Sequence, residues 1–230
     1  MTNWLGRNLR VRILSGDAGV SNAALVSAAG DDLLIDCGDG TLQTLVGQGF
    51  EWQRLAGLCV THGHFDHVGS LFALLGFLRM SGHTRPLDIL APFPATEVQA
   101  FIDLRLRTAP DGLPFALNLR EAKIGESLTL GSFTVTPFPA YHRGSTAAGI
   151  GELLPAVGYR IANSDECVVF SGDTGISDGL RQAVRGADLA VLEATEQGAG
   201  QPEVHLSVAE AQEIGRTATA FLLVHRARGG

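Results

Sequence analysis

Short apolar runs separated by polar turn sequences fill the first third of the chain. The turn sequences SGDAG and AAGDD lie between these runs, a pattern that predicts a meander of paired strands. The predicted strands are 9–14, 23–28 and 33–36. Leu42, Leu45 and Val46 then recur at helical spacing, and they predict a helix packed on this sheet.

The alternation of buried strands, polar loops and helices continues to residue 224. The run 56–60 predicts a buried strand that leads into the polar loop THGHFDHVGS and an apolar helix at 71–78. The later predicted strands are 87–90, 115–120, 127–137, 157–162, 167–170, 189–192 and 221–224. The later predicted helices are 95–107, 176–184 and 208–218. Ser207 and Glu210 have the S-x-x-E spacing of a capping box at the start of the last helix. The order indicates sheets in the middle with helices outside.

The composition is that of a packed globular protein. Hydrophobic residues make up 45% of the 230 positions and charged residues 18%, enough apolar surface for a sizeable core. The longest apolar stretch, 71–78, is far shorter than the ~18 residues of a membrane helix. The arginine-containing start of the chain lacks the ordered regions of a secretory signal. We therefore expect one domain over 1–230, a cytoplasmic location and no membrane partner.

The charge balance argues against a protein built to bind polyanions. Acidic residues number 24 and basic residues 17, for a formal charge of -7, so no strong field favours nucleic acid or anionic lipid. Extensive nucleic-acid binding is therefore not expected. Cys37, Cys59 and Cys167 are far apart and form no C-x-x-C pair, so we expect three reduced, mostly buried thiols.

Three of the seven histidines fall within six residues, together with one aspartate. His62, His64, Asp66 and His67 form the pattern H-x-H-x-D-H at the end of a predicted strand. With the frequencies of His and Asp in this chain, random order produces the pattern in roughly 4 of 10,000 sequences. Protonated imidazoles this close would repel one another, whereas neutral imidazoles and a carboxylate can share bound cations. The pattern therefore predicts a metal site.

The loop THGHFDHVGS resembles the histidine loop of the metallo-β-lactamase-fold hydrolases. The further matches, in the family's order, are Asp36, His142, Asp173 and His225. Within the superfamily, LEAT at 192–195 and HLS at 205–207 are most similar to the ribonuclease Z and phosphodiesterase branch. The resemblance implies an α+β fold, a four-layer αββα sandwich in which two mixed β-sheets pack face to face with helices outside.

The same resemblance implies a pair of divalent metal ions. One ion would be held by His62, His64 and His142, and the other by Asp66, His67 and His225. Asp173 would bridge the two ions. Nitrogen and oxygen donors suit Zn²⁺, with Mn²⁺ or Fe as alternatives. The implied activity is hydrolysis of a small or nucleotide-like phosphodiester by a metal-bridging hydroxide, which Asp66 would also orient.

Four further residues near these motifs need an interpretation. For His205, the resemblance implies a histidine that is oriented by Glu193, contacts the phosphate and protonates the leaving oxygen, whereas without that context it is a surface residue. Tyr141 and Glu152 lie near the predicted site in sequence, and loop packing explains them equally well. His83, in MSGHTRP, has no counterpart, and we expect an exposed loop residue.

Two departures from the family pattern bear on the substrate and partners. Residues 143–172 are too few for the arm with which bacterial ribonuclease Z grips transfer RNA, which favours a smaller phosphodiester or a related ester. The sequence HRARGG provides no helix to cover the site, so a second copy in a homodimer is one hypothesis for that cover. The competing functions are a lactonase or thioesterase of the same superfamily, a ribonuclease Z-like RNA 3'-end endonuclease, and a non-catalytic module that binds a metal or metabolite.

Overall fold

The computed structural model describes residues 3–109, 111–146, 149–198 and 203–227. The strands are β1 (Asn3–Leu5), β2 (Arg10–Asp17), β3 (Ser21–Ala28), β4 (Asp31–Ile35), β5 (Leu55–Cys59), β6 (Leu87–Ala91), β7 (Leu117–Glu121), β8 (Leu128–Leu130), β9 (Phe133–Pro139), β10 (Arg143–Thr146), β11 (Gly149–Leu153), β12 (Val157–Asn163), β13 (Glu166–Phe170), β14 (Leu189–Glu193) and β15 (Ala220–Val224). The α-helices are α1 (Thr41–Gly47), α2 (Phe65–Val68), α3 (Leu71–Met80), α4 (Thr96–Arg107), α5 (Asp178–Val184) and α6 (Val208–Gly215). A 3₁₀ turn covers Trp52–Arg54.

These strands form two mixed sheets and a separate hairpin. The first sheet has the order β1-β2-β3-β4-β5-β6-β7; its strands are antiparallel up to β4 and parallel from β4 onward. The second has the order β15-β14-β13-β12-β9-β8, with β13, β14 and β15 parallel to one another. β12 is antiparallel to both of its neighbours, β13 and β9. β10 and β11 pair only with each other among the described strands.

One hydrophobic core lies between the two sheets. Apolar side chains of β2, β3 and β4 meet those of β9, β12, β13 and β14 in one buried cluster. Tyr159 on β12 is fully buried there, and its hydroxyl donates to the carbonyl oxygen of Val60 at 2.7 Å. Because Val60 follows β5 and precedes the histidine loop, this bond attaches the start of that loop to the second sheet.

Helices cover the outer face of each sheet. Leu71, Leu74, Leu75 and Leu78 have the i, i+3, i+4, i+7 spacing of one helix face, so α3 buries one apolar stripe against the first sheet, where α1 and α4 also pack. α5 and α6 pack in the same way on the second sheet. The predicted four-layer αββα sandwich is therefore confirmed. Within the described ranges, no helix is long and apolar enough to cross a membrane.

The structure corrects several predicted boundaries. The single strand predicted at 127–137 is the hairpin of β8 and β9, because Gly131 turns the chain with a φ of 57°. The last helix was predicted to reach residue 218 but ends at Gly215; the capping box of Ser207 and Glu210 is confirmed. Val46, predicted to face the sheet, is 48% exposed. β1 and the β10–β11 hairpin were not predicted.

The expectation that His83 is an exposed loop residue is wrong. Its side chain is fully buried, its Nδ1 lies 2.9 Å from the carbonyl oxygen of Trp52, and its ring meets Phe115 edge to face at 5.1 Å. The hydrogen bond satisfies Nδ1 and the ring packs on Phe115, whereas the buried Nε2 makes no hydrogen bond to a described residue. His83 therefore joins the 3₁₀ turn to the segment before β7.

The cysteines form no disulfide, as expected. Cys37 and Cys59 are buried, and Cys167 is half-buried. Burial raises the pKa of each of these thiols, which keeps them protonated and unreactive.

Candidate metal centre

The predicted site residues follow strands whose carboxyl ends meet at one edge of the sandwich. β9 and β13 run in the same direction because both are antiparallel to β12, and β14 and β15 are parallel to β13. His142, Asp173 and His225 come after β9, β13 and β15, and Glu193 is the last residue of β14. The histidine loop follows β5 of the facing sheet. The topology therefore gathers side chains that are up to 163 positions apart in the sequence.

The histidine loop is held in place by Asp36, which lies directly after β4. One oxygen of its carboxylate accepts the backbone N–H of Thr61 at 2.7 Å. The other lies 2.9 Å from the Thr61 hydroxyl and 2.8 Å from Nδ1 of His67. Past His64, which is extended, the short helix α2 buries Asp66 and His67 side by side. Asp36 therefore fixes both the start of the loop and the orientation of its third histidine.

The first predicted group of ligands, His62, His64 and His142, is assembled. Nδ1 of His64 lies 3.0 Å from Nε2 of His62 and 3.2 Å from Nε2 of His142. Nδ1 of His142 lies 2.8 Å from the carbonyl oxygen of Val204, to which it can only donate, so its Nε2 keeps a lone pair toward the centre.

The second predicted group, Asp66, His67 and His225, is also assembled. Oδ2 of Asp66 lies 3.2 Å from Nε2 of His225 and 3.9 Å from Nε2 of His67. The Asp66 oxygen is oriented by the backbone N–H of Gly19 at 2.9 Å. His225 has a φ of 50°, so this residue turns off the end of β15 as a single left-handed position.

Asp173 lies between the two groups. Its Oδ2 is 3.2 Å from Nε2 of His225, 3.9 Å from Nε2 of His62 and 4.0 Å from Nε2 of His142. Its Oδ1 is 3.4 Å from Nε2 of His67. One carboxylate therefore faces nitrogen donors of both groups, the geometry expected of a bridging ligand.

Burial and charge act differently on the members of this cluster. Burial lowers the pKa of His62 well below its usual range and that of His142 to about 4, so both rings are neutral at pH 7 and free to bind a cation. Burial opposes charge on His67, but the carboxylates of Asp173 and Asp36 outweigh it and raise its pKa well above the usual range. Burial likewise opposes charge on Asp173, but neighbouring imidazoles, His67 first, hold its pKa well below the usual range.

Two buried atoms at the centre indicate that the donor set fits a metal. Nε2 of His67 and Oδ1 of Asp173 make no hydrogen bond to any described residue, although they are only 3.4 Å apart. Because Asp173 and Asp36 raise the pKa of His67, its ring is held protonated between the two carboxylates when no cation is bound. A cation would replace the Nε2 proton, leave Nδ1 to donate to Asp36 and satisfy both buried atoms. Nitrogen and carboxylate donors match the preferences of Zn²⁺ and similar divalent ions.

His205 and Glu193 lie beside the cluster as a hydrogen-bonded pair. Nδ1 of His205 is 3.0 Å from Oε1 of Glu193. The ring of His205 lies between those of His142 and His225, with centroid distances of 5.0 and 5.5 Å. Burial disfavours charge on His205, but its hydrogen bond to the Glu193 carboxylate outweighs burial and raises the pKa of the ring. Glu193 itself is buried and accepts three backbone N–H groups, those of Thr174, Thr195 and Leu206.

Thr195 connects this pair to the metal centre and was not singled out from the sequence. Its hydroxyl lies 2.9 Å from Oε2 of Glu193 and 2.8 Å from Nδ1 of His225. A hydroxyl that accepts from Nδ1 leaves Nε2 of His225 free to bind a cation. The signal was present in the sequence, since Thr195 is the last residue of LEAT. Thr61, another unpredicted contact, holds Asp36 at the opposite side of the cluster.

Tyr141 and Glu152, for which the sequence indicates no definite role, lie in different surroundings. Tyr141 is fixed through its backbone, whose N–H donates to the hydroxyl of Thr174 at 2.9 Å and whose carbonyl accepts from Gly175. Glu152 lines a cleft next to His62 and His64.

A model of the beta-lactamase superfamily domain matches residues 32–225, and the chain belongs to this superfamily. It is a hydrolase of the metallo-β-lactamase fold, a fold that implies divalent metal binding, in keeping with the His and Asp groups above. Ribonuclease Z of Bradyrhizobium sp. (strain ORS 278) is 30% identical to it over 247 residues, which cover 87% of this chain and 81% of that protein.

Solved structures share the fold. The metallo-β-lactamase fold protein YhfI from Bacillus subtilis has a TM-score of 0.78 at 22% identity, covering 97% of this chain and 89% of that one. Human tRNase Z, short form, has a TM-score of 0.77 at 21% identity, covering 95% of this chain and 93% of that one. At these identities the likeness concerns the fold.

Proposed function

We propose that this chain is a dinuclear metal-dependent phosphodiesterase acting on small or nucleotide-like phosphodiesters. The observation that carries the proposal is Asp173, whose carboxylate lies within 4.0 Å of nitrogen donors in both three-residue groups. Two ions joined by one carboxylate are the arrangement suited to in-line displacement at phosphorus. The 30% identity with a protein named ribonuclease Z supports a phosphodiester as the bond that is cleaved.

In this proposal each residue of the centre has one task. The first ion is held by His62, His64 and His142, the second by Asp66, His67 and His225, and both by Asp173. Zn²⁺ suits these donors best, with Mn²⁺ or Fe as alternatives. When bound, such ions supply Lewis acidity toward the phosphoryl oxygens and generate a nucleophile at neutral pH. We assign to Asp66 the further task of orienting that nucleophile.

We assign to His205 the transfer of a proton to the leaving oxygen. One of its ring nitrogens lies within 4.8 Å of donor atoms of both His142 and Asp173, so the ring borders the space where substrate must lie. Glu193 accepts from Nδ1, which leaves Nε2 as the atom that gives up a proton. Glu193 acts through His205 and is a positioning residue for it.

The experiment is a hydrolysis panel with metal-loaded protein. We expect turnover of bis(4-nitrophenyl) phosphate and of cyclic nucleotides, with no comparable turnover of lactones or thioesters. Asp173→Asn should abolish the activity, while the matched control Asp178→Asn, at an exposed aspartate of α5, should retain it. Turnover of lactones or thioesters but of no phosphodiester would make the chain a carbonyl hydrolase instead. Bound metal with no turnover on any substrate would support a non-catalytic module.

The relative named ribonuclease Z favours a second candidate, an RNA endonuclease. Against it stand the net charge of -7 and the absence of arginine and lysine among the described residues that line the cleft beside His62 and His64. Cleavage of an RNA with a 3' extension, at a rate above that of small diesters, would favour this candidate.

A further inference from the structure

A cleft of about 480 Å³ opens beside the centre, next to His62 and His64. One wall is the segment from the end of β6 into α4, which includes Ala91, Pro92 and Val98. Another part of the lining comes from the β10–β11 hairpin and the residues after it, Leu154 and Pro155. The volume is that of a small-molecule site, and most of the named side chains are apolar. A substituent of a substrate held at the centre would enter this cleft.

The charged residues that line the cleft, apart from the two histidines, are both acidic. Glu97 lies at the start of α4, and Glu152 lies on β11. The Glu97 carboxylate lies against the backbone between His62 and His64, since a Cβ built on Gly63 would be only 2.7 Å from its Cδ. Both glutamates are exposed, and neither is in an ion pair with a described residue.

No cation in the described lining offsets these carboxylates. Arg143 follows His142 and reaches the carbonyl oxygen of Gly151 on the hairpin, but its Nη2 is already 2.7 Å from a carboxylate oxygen of Glu203. A further phosphate or a nucleic-acid strand in the cleft would be repelled by the carboxylates of Glu97 and Glu152 and would find no cationic side chain in the described lining. A hydrocarbon chain would contact the apolar walls, and an ammonium group at its end would meet carboxylates rather than cations.

We propose that the cleft binds the second substituent of the phosphodiester, and that this substituent is an uncharged carbon chain bearing a primary amino group. The inference rests on the proposed phosphodiesterase function and adds the class of substrate. Glu97 and Glu152 are then the residues that determine specificity, whereas the metal ligands and His205 carry the chemistry.

The test compares substrates that differ in one group. The 4-nitrophenyl diesters of 5-aminopentyl, hexyl and 5-carboxypentyl phosphate share a leaving group and a chain length, and they end in an ammonium, a methyl and a carboxylate. We expect kcat/KM to fall in that order, with the amine about 3- to 10-fold above the alkyl chain, the size of one or two weakly screened ion pairs. The preference should appear mainly in KM and should shrink at high salt.

Variants locate the preference in the cleft. Glu97→Gln and Glu152→Gln should each lower the amine-to-alkyl ratio of kcat/KM, and the double variant should bring that ratio to about one. Glu126→Gln, an exposed carboxylate outside the cleft, is the matched control and should leave the ratio unaltered. A wild-type ratio of one, or a ratio that survives the double variant, would overturn the inference.

Failure of the inference and failure of the proposed function give different results. If the hexyl diester is hydrolysed with no preference for the amine, the phosphodiesterase function stands and the inference is wrong. If no diester is hydrolysed, the function is wrong, and calorimetry of 5-aminopentyl phosphate against hexyl phosphate still tests the cleft. Tighter binding of the amine that is lost in Glu97→Gln supports the cleft assignment; equal binding contradicts it.

Discussion

Replacing His205 with alanine should slow hydrolysis while leaving both groups of metal ligands in place. The ring is not among the ligands assigned to the two ions, although one of its nitrogens lies within 4.8 Å of donor atoms of His142 and Asp173. Glu193, its partner at 3.0 Å, keeps three backbone N–H donors after the ring is removed, so its carboxylate stays anchored. We therefore expect a folded variant with unchanged metal content.

The expected loss depends on the leaving group. A general acid contributes about 10²- to 10⁴-fold, or ~2.7 to 5.4 kcal/mol of transition-state stabilisation. A diester with an alkyl leaving group needs that proton, and its kcat should fall by about this factor. A nitrophenolate leaves with little protonation, so its kcat should fall by less than about tenfold. Glu193→Gln should give a smaller loss with the same dependence, because it weakens the orientation of His205 without deleting the acid.

The assay is kcat for matched alkyl and nitrophenyl diesters in wild type and His205→Ala, with metal content measured on the same samples. An unchanged rate on the alkyl diester would refute the assignment and make His205 a structural residue. Equal losses on both substrates would point to phosphate binding rather than proton transfer. Loss of metal would instead place His205 among the ligands.

Three further variants test contacts around the centre and in the scaffold. Thr195→Val removes the hydroxyl between Glu193 and His225 and should weaken metal affinity by about 10- to 100-fold in a chelator competition, with Thr195→Ser as the control that retains the hydroxyl. His83→Ala should destabilise the fold by about 1 to 3 kcal/mol in urea, because it removes a buried hydrogen bond to the Trp52 carbonyl and the ring packed on Phe115, while kcat changes less than about twofold. Glu166→Gln should cost about 1 to 3 kcal/mol at pH 7, because the buried carboxylate accepts the backbone N–H groups of residues 7–9.

The lowered pKa of Glu166 predicts that its contribution to folding stability depends on pH. Burial raises the pKa of this carboxyl, but the three N–H bonds outweigh it and lower the pKa below the usual ~4.3. The ionised carboxylate therefore contributes its full stabilisation above the usual pKa of a glutamate. That contribution is lost as the pH falls through the lowered pKa of the folded protein. The stability difference between wild type and Glu166→Gln should be constant near neutrality and should narrow in acid.

Each of the three has an outcome that contradicts it. Equal metal affinity in the Val and Ser variants of Thr195 would show that the hydroxyl does not position His225. A large loss of kcat in His83→Ala would make it part of the site. A stability difference between wild type and Glu166→Gln that widens in acid would mean that folding raises the pKa of Glu166 rather than lowering it.

The strand ends and the candidate site could be predicted because each is marked by a short stretch of sequence, an apolar run followed directly by a polar motif. Apolar runs that stop at HGHFDH and at SGDTG place charged side chains directly after buried strands, and parallel strands bring such ends together. Asp173 and His225 needed the resemblance as well, since a single aspartate or histidine after a strand has no pattern of its own.

The remaining features depend on contacts between distant segments. His83 has polar neighbours in MSGHTRP, and nothing local indicates that Trp52 and Phe115 enclose it. The β10–β11 hairpin is rich in small and polar residues, so its residues show no apolar alternation and its pairing was missed. Thr195 belongs to the LEAT motif, but only the structure places its hydroxyl between Glu193 and His225.

The most direct measurement titrates metal-depleted protein with Zn²⁺ while bound metal and hydrolysis of bis(4-nitrophenyl) phosphate are followed together. We expect two equivalents per chain, with activity reaching its maximum only as the second is bound. Asp173→Ala should bind fewer than two equivalents and lose activity, because its carboxylate faces both groups. Full activity with one ion, or two ions and full turnover in Asp173→Ala, would contradict a dinuclear centre bridged by Asp173.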